Sequence, residues 1–354
     1  MGTCISQHPV STDFENRESL CIEEGQKQEE VVKPVEVQAE AFPLQSYDEQ
    51  NVIKIQSGFR GMKARKEAEQ EKEQMENMKP KNENIKPYNG VVESTNDLIK
   101  QQLLKYGEYQ YSKNNDEKFL NSRSLTPYQL EDGSIYEGQW LNGLREGRGK
   151  LIYSDGSIYE GYFSKDYQHL NGRLIMASGD FYQGDFQNGK IEGNGTYKYA
   201  DGTKYEGEFK NNKQNGFGKE TWPDGTKYEG SYDKGVKYGT GRFQWTDGSI
   251  YEGSLVNDQM EGYGTFTWAD KRKYNGNWKN SMMNGQGELF YPDGRCYKGQ
   301  FQNDLRNGEG TFFFNDGTNY CGPWKNDKQH GKGVKKQKGG LEEQQEWNNG
   351  TRVI

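Results

Sequence analysis

Residues 193–209 read GNGTYKYADGTKYEGEF, and the fold turns on how they are read. Two runs of alternating character flank Asp201-Gly202. Gly193, Gly195, Tyr197 and Tyr199, followed by Tyr205, Gly207 and Phe209, fall on one side; Thr196, Lys198, Lys204, Glu206 and Glu208 fall on the other. A period of two is the signature of a strand, and Asp-Gly is a favoured pair for a two-residue type I′ turn. The stretch therefore predicts a β-hairpin with one glycine-and-aromatic face and one polar face. Glycine within a strand leaves room for a neighbouring ring to lie over the backbone.

The pattern repeats. Tyr-x-Gly recurs at Tyr136, Tyr159, Tyr182, Tyr205, Tyr228, Tyr251, Tyr274, Tyr297 and Tyr320, each 23 residues after the last. A second ring follows four residues later at Trp140, Phe163, Phe186, Phe209, Trp278, Phe301 and Trp324. The turn pair recurs from Asp132-Gly133 to Asp316-Gly317, with Ser178-Gly179 and Asp270-Lys271 as variants. Gly-x-Gly recurs from Gly147/Gly149 to Gly331/Gly333, with Leu170/Gly172 as its one broken copy. GGLEEQQEWNNG near the C-terminus keeps the phase, with Glu343 in the tyrosine slot and Trp347 in the aromatic slot. It reads as a worn unit capping the array. No helical pattern interrupts the units. The expectation is an all-β repeat array over 126–354: an elongated, single-layer antiparallel meander of about 18 strands, roughly 85 Å of ribbon at ~4.8 Å per strand, with an aromatic-lined groove.

These units resemble the MORN repeat, as in YEGEFKNNKQNGFGKETWPDGTKYEG and YEGQWLNGLREGRGKLIYSDGSIYEG. The resemblance implies a β-sheet used for membrane association, partner binding and assembly, without catalysis by the repeats. The repeat tyrosines and their second rings are then the candidate groove residues, for a protein ligand that the sequence does not identify.

Composition agrees. Of 354 residues only 31% are hydrophobic, while 24 Tyr, 16 Phe, 7 Trp and 46 Gly point to a thin structure packed by rings. No apolar run is long enough to span a bilayer. The four cysteines (4, 21, 296 and 321) show neither metal spacing nor a disulfide framework, which fits a reducing, cytosolic compartment. Cys296 and Cys321 both fall on the polar face with a strand between them, about 9–10 Å apart and beyond disulfide reach. Charge is near balance from 126 onward, at 29 basic and 31 acidic residues, so the broad basic face that nucleic acid requires is missing.

Catalytic and metal sites find no support. The Glu slot of Tyr-Glu-Gly is Gln183, Asn275, Lys298 and Cys321 in other units, which reads as a solvated face. His8, His169 and His330 are scattered with no nucleophile beside them. No cofactor is implied. Asp270-Lys-Arg-Lys273 forms a small basic tip, read as an ordinary solvated turn before a lipid contact.

Upstream, Ser46-x-x-Glu49 is a capping-box signature, and helix-forming residues follow as far as Lys79-Pro80. Val52, Ile55, Phe59 and Met62 share one helical face. Within the run, Ile55-Gln56-x3-Arg60-Gly61-x3-Arg65 resembles the IQ motif position for position. The resemblance implies a helix over 47–78 gripped by calmodulin or a related EF-hand protein, often without calcium. Its apolar stripe suits a Met-rich groove, and Arg60 and Arg65 suit an acidic partner. Gly61 costs a free helix about 1 kcal/mol against Ala, which favours close approach by a partner.

Residues 1–46 read as a disordered tail with 11 acidic and 3 basic side chains in the first 50 residues. Met1-Gly2-x-x-x-Ser6 is the pattern for myristoylation of Gly2, and Cys4 supplies the second, palmitoyl signal that stable anchoring needs. Residues 79–125 read as a polar linker carrying a short helix from Ser94 to Tyr106, placed over the first edge strand or in the aromatic groove. The chain is expected to be a non-enzymatic, membrane-tethered adaptor on a cytoplasmic face. Two other readings remain open: an assembly component of a cilium or cortical cytoskeleton, and a regulatory subunit of a lipid kinase or methyltransferase.

Overall fold

Strands of seven and nine residues alternate along the array, from Ile135–Leu141 and Leu144–Ile152 to Cys296–Gln302 and Leu305–Phe313. Each pairs antiparallel with its sequence neighbours. The computed structural model describes residues 79–80 and 82–353, which lie in one compact unit, Lys63–Ile354. Gly2, Cys4 and the IQ residues Ile55, Gln56, Phe59, Arg60, Gly61 and Arg65 lie outside the described residues. The described sheet is a meander, single-layered over most of its length, and it does not close.

The Asp-Gly turns are not the two-residue type I′ turns expected. At Asp201-Gly202 the Tyr199 carbonyl accepts from Gly202 N at 3.0 Å, and Tyr199 N donates to the Thr203 carbonyl at 2.8 Å. Only Gly202 has a positive φ, 95°. The connection is thus a three-residue loop, Ala200–Gly202, closed by a glycine in the left-handed region. The Asp201 carboxylate accepts from Thr203 N at 2.8 Å, which holds the aspartate in an ordinary conformation. True I′ turns sit at the opposite edge of the sheet, where both central residues are left-handed: Asn211 (50°) and Asn212 (66°), or Asn257 (48°) and Asp258 (65°). Asn and Asp tolerate that region better than other side chains.

The two glycines of Gly-x-Gly also serve different ends. The first sits where the ladder shifts register, at φ 90° for Gly147 and 72° for Gly216. The second lies under a ring: a Cβ on Gly218 would overlap the phenol of Tyr205. Leu170, in the broken copy, is held at φ 56°.

Three short strands finish the first edge: β1 (Lys86–Pro87), β2 (Arg123–Ser124) and β3 (Tyr128–Gln129). β2 and β3 pair with β4 (Ile135–Leu141), and β1 pairs with β3. Two-residue strands, one containing proline, give a further chain little to pair with. Helix α1 (Asp97–Tyr106) starts at Asn96, whose side chain accepts from Leu98 N at 2.9 Å, and stops at Gly107. The sequence had suggested that it covers the first edge strand or lies in the aromatic groove, and it does neither. Its Ile99 packs on Ile152, Ile158, Ile175 and Phe181, on the opposite face of the sheet. In the next units Lys198, Thr221, Lys204 and Lys227 stand at these positions, so the helix is placed by a local apolar patch. At the far end Trp347 packs edge-on to Tyr320 at 6.1 Å, and Glu343 pairs with Arg352 at 2.5 Å.

Candidate partner-binding face

Each repeat tyrosine lies flat over a cross-strand glycine pair. Tyr205 rests on Gly207 and Gly218, which face each other in the ladder. Its hydroxyl donates to the Glu208 carbonyl at 2.9 Å. Edge-on rings flank it, Phe209 at 5.0 Å and Tyr232 of the next unit at 5.1 Å. Such pairs contribute about 0.5–1.5 kcal/mol each beyond their buried area. The same arrangement joins Tyr136 to Phe163, Tyr159 to Phe186, Tyr274 to Phe301 and Tyr297 to Trp324. No repeat tyrosine from Tyr136 to Tyr320 is more than 1% exposed, and Trp140, Phe186, Trp278 and Phe301 are buried with them. Burial pushes the Tyr251 phenol up to about 12 and raises Tyr182, Tyr228 and Tyr297 as well. The candidate groove residues therefore form the floor of the face and do not reach its surface.

What the face presents is a different set. One half-buried side chain per unit, two residues before the turn aspartate, forms a stripe across the strands: Tyr153, Met176, Tyr199, Trp222, Trp245, Trp268, Tyr291 and Phe314. In its middle the rings stack with Phe243 and Phe266. Trp222 lies 6.2 Å from Phe243, Phe243 5.3 Å from Trp245, and Phe266 4.8 Å from Trp268. From Trp222 to Phe314 the stripe packs only on its own sheet among the described residues. The signal for it was the recurrence of large apolar residues just ahead of each turn, a position that reads as turn-flanking in any single unit.

Ion pairs interrupt this apolar face, and the most buried of them lies in its middle. Glu220 stands opposite Tyr205, where the other units from Tyr136 to Tyr297 have Leu, Tyr or Phe and the last has Lys335. It pairs with Lys237 at 2.7 Å and accepts from the Tyr232 hydroxyl at 2.9 Å. The Lys237 ammonium lies 4.9 Å from the Trp222 ring centre and 5.1 Å from that of Tyr228. Arg306 holds the same register position three units on, 4.5 Å from Trp324 and bonded to Asp327 at 3.0 Å.

The remaining candidates resolve into structural roles. The Tyr-Glu-Gly glutamates lie on the opposite face in exposed pairs such as Lys219–Glu229 (3.1 Å) and Arg242–Glu252 (2.9 Å). In the 270–273 tip, Arg272 bonds Asp270 at 2.7 Å and lies over Trp268. His330 Nδ1 accepts from Asn349 N, and Cys296 and Cys321 are free thiols. Among the described residues, no cluster of three or more His, Cys, Asp or Glu is placed to hold a metal, and no helix is long and apolar enough to cross a membrane.

The MORN repeat model matches residues 136–158, 182–204, 205–227, 228–250, 251–271, 274–294, 297–319 and 320–340. The chain belongs to the MORN-repeat family. This MORN protein also matches the IQ calmodulin-binding motif at 49–69. The skipped unit, 159–181, carries Leu170 and Ser178 in place of Gly and Asp, yet it forms the same hairpin, Ile158–Ser164 with Tyr167–Ile175. No curated protein matches the chain. Among solved structures, the chain is similar to the TCP10 domain of CPAP from Danio rerio, at 12% identity and a TM-score of 0.34, over 57% of this chain and 94% of that one. It is also similar to the TCP domain of SAS-4 from Drosophila melanogaster, solved with a proline-rich motif of Ana2, at 15% identity and a TM-score of 0.30, over 55% and 96%. Likeness of this degree carries no statement about this chain.

Proposed function

We propose that this MORN protein is a non-catalytic adaptor held on the cytoplasmic face of a membrane, joining calmodulin to a second protein. The observation that carries the reading is the stripe from Trp222 to Phe314, half-buried and without a covering layer among the described residues. A contiguous apolar patch rimmed by polar residues is the usual mark of a partner site. The buried rings beneath it and the Asn- and Asp-rich turns at its margin keep the surface stiff, so binding costs little ordering. The IQ match supplies a calmodulin site in a separate part of the chain. MORN and IQ sequences are both binding modules, which supports a role without chemistry.

Tethering rests on Gly2 and Cys4. One myristoyl chain binds membranes with a constant of about 10⁴ M⁻¹, so a second acyl group is needed for retention. The acidic tail repels anionic lipid and makes a singly acylated form leakier. Fractionation and imaging test this: Gly2→Ala is expected to release the protein into the soluble fraction, and Cys4→Ser to give an intermediate distribution. Full membrane retention of Gly2→Ala would contradict acyl tethering.

A further inference from the structure

The sheet surface opposite the aromatic stripe already binds a peptide: the chain's own. Residues 107–112 lie across it outside helix and strand and insert two tyrosines. The Tyr111 hydroxyl donates to the carbonyl of Gly149 at 3.2 Å, and the Arg148 guanidinium lies 4.9 Å from its ring centre. Tyr109 meets Tyr111 edge-on at 4.9 Å and lies 5.7 Å from Arg173; burial pushes its phenol up to about 12. Tyr162 rises from the sheet to donate to the Ser112 carbonyl at 2.7 Å and to Asp116 at 2.9 Å.

The track beneath this segment is the double row of glycines. Their missing side chains point at the aromatic face, so on this side the backbone carbonyls lie open between two rows of side chains. The row continues far beyond the segment. Beside Tyr109 a trough of about 480 Å³ opens between Gln183, Asn194 and Thr196. A second, of about 580 Å³, lies further along between Tyr263, Asn275, Asn277, Gln286 and Thr311. The register position that Arg148 holds under Tyr111 is taken three and five units on by Phe217 and Tyr263, which are 49% and 63% exposed. The charged walls neutralise themselves in pairs such as Arg242–Glu252 and Lys298–Glu288.

We propose that the open glycine track, from Gly195 to Gly310, binds an extended, tyrosine-bearing segment of another protein in the manner in which the chain binds its own Tyr109 and Tyr111. The partner's rings lie against Phe217 and Tyr263, and its hydroxyls donate to glycine carbonyls. Because the walls are charge-balanced, binding is nearly independent of salt. This site is separate from the aromatic stripe and does not depend on what the stripe binds.

The test uses the full-length chain and a fluorescein-labelled peptide copying residues 106–117, followed by fluorescence anisotropy. Saturable binding is expected, little changed between 50 and 500 mM salt. It should weaken roughly tenfold with Tyr263→Ala or with the peptide's Tyr109 and Tyr111 both changed to Phe, the size of a lost ring contact or hydroxyl bond. Trp245→Ala, on the other face, is expected to leave it unchanged. Tyr263 is exposed, so its alanine variant is expected to fold, which circular dichroism checks. Absence of saturable binding at millimolar peptide would overturn the proposal. So would binding indifferent to Tyr263→Ala, since the peptide would then only be displacing the chain's own segment.

Discussion

At the scale of single residues, the cost of a substitution depends on which face and which neighbour it meets. Gly218→Ala forces a methyl group into the ring of Tyr205, which is wedged between the rings of Phe209 and Tyr232. Overpacking of this kind costs about 1–3 kcal/mol. Glu229→Gln, on the exposed face, is expected to be nearly neutral. A urea melt that ranked them the other way would contradict the assignment of faces. Leu170→Gly relieves a left-handed leucine and is expected to stabilise by about 1 kcal/mol. The Glu220–Lys237 pair gives the sharpest contrast. Lys237→Met alone strands a buried carboxylate, at about 3–5 kcal/mol. Glu220→Phe with Lys237→Met reproduces the residues that neighbouring units carry, Phe266 opposite Tyr251 and Met260 opposite Leu255, and is expected to be neutral or stabilising. A double variant as unstable as the single one would show that the pair is needed for more than its own neutralisation.

At the scale of elements, the units are tied by turns as well as by rings. Asp258 N donates to the Lys237 carbonyl at 3.1 Å, and its carboxylate accepts from Lys237 N at 2.9 Å, clamping one I′ turn to the preceding unit. Asp304 and Asp327 repeat the clamp on Met283 and Arg306. Tyr228→Ala removes a ring that touches both Tyr232 and Phe243, so both hairpins meeting there are expected to lose hydrogen-exchange protection together. Loss confined to one hairpin would contradict the nearest-neighbour picture. The strands and their faces were legible in the sequence because alternation with a 23-residue period states them nine times over. The turns were not. Asp-Gly suits both a two-residue and a three-residue loop, and the choice rests on the hydrogen bond from Thr203 N to Asp201, while Asn142-Gly143 and Asn188-Gly189 were the better I′ signal. The placement of α1 was legible only in retrospect, through Ile158 and Phe181 at positions that are Lys204 and Lys227 in the next units.

At the scale of the whole molecule, the tyrosines make the array sensitive to alkali. Their folded-state pKa values are raised, to about 12 for Tyr251, because the buried phenolate is disfavoured. A raised pKa contributes stability that is fully present below the unfolded value near 10 and is lost as pH climbs toward the folded one. Each such tyrosine therefore removes about 1.4 kcal/mol per pH unit above 10. The urea midpoint is expected to hold from pH 7 to 9 and to fall steeply between 10 and 11.5, with the buried rings' share of the absorbance at 295 nm appearing only on unfolding. A midpoint unchanged at pH 11 would contradict the burial of the rings. The candidate site was half legible: the aromatic face was evident, but the residues that recur most regularly are the buried ones. A single-layer sheet exposes what lies beyond its glycine-ring lattice, and that depends on a register position no single hairpin reveals.

The adaptor account turns on the IQ segment acting as a calmodulin site independent of the array. The direct measurement is calorimetric titration of calmodulin into the full-length chain in the presence of a calcium chelator. The account predicts binding of one calmodulin per chain, abolished by Ile55→Asp with Arg60→Glu and retained by Trp245→Ala with Trp268→Ala. Equal binding by the wild type and the Ile55/Arg60 double variant, or none by the wild type, would contradict it.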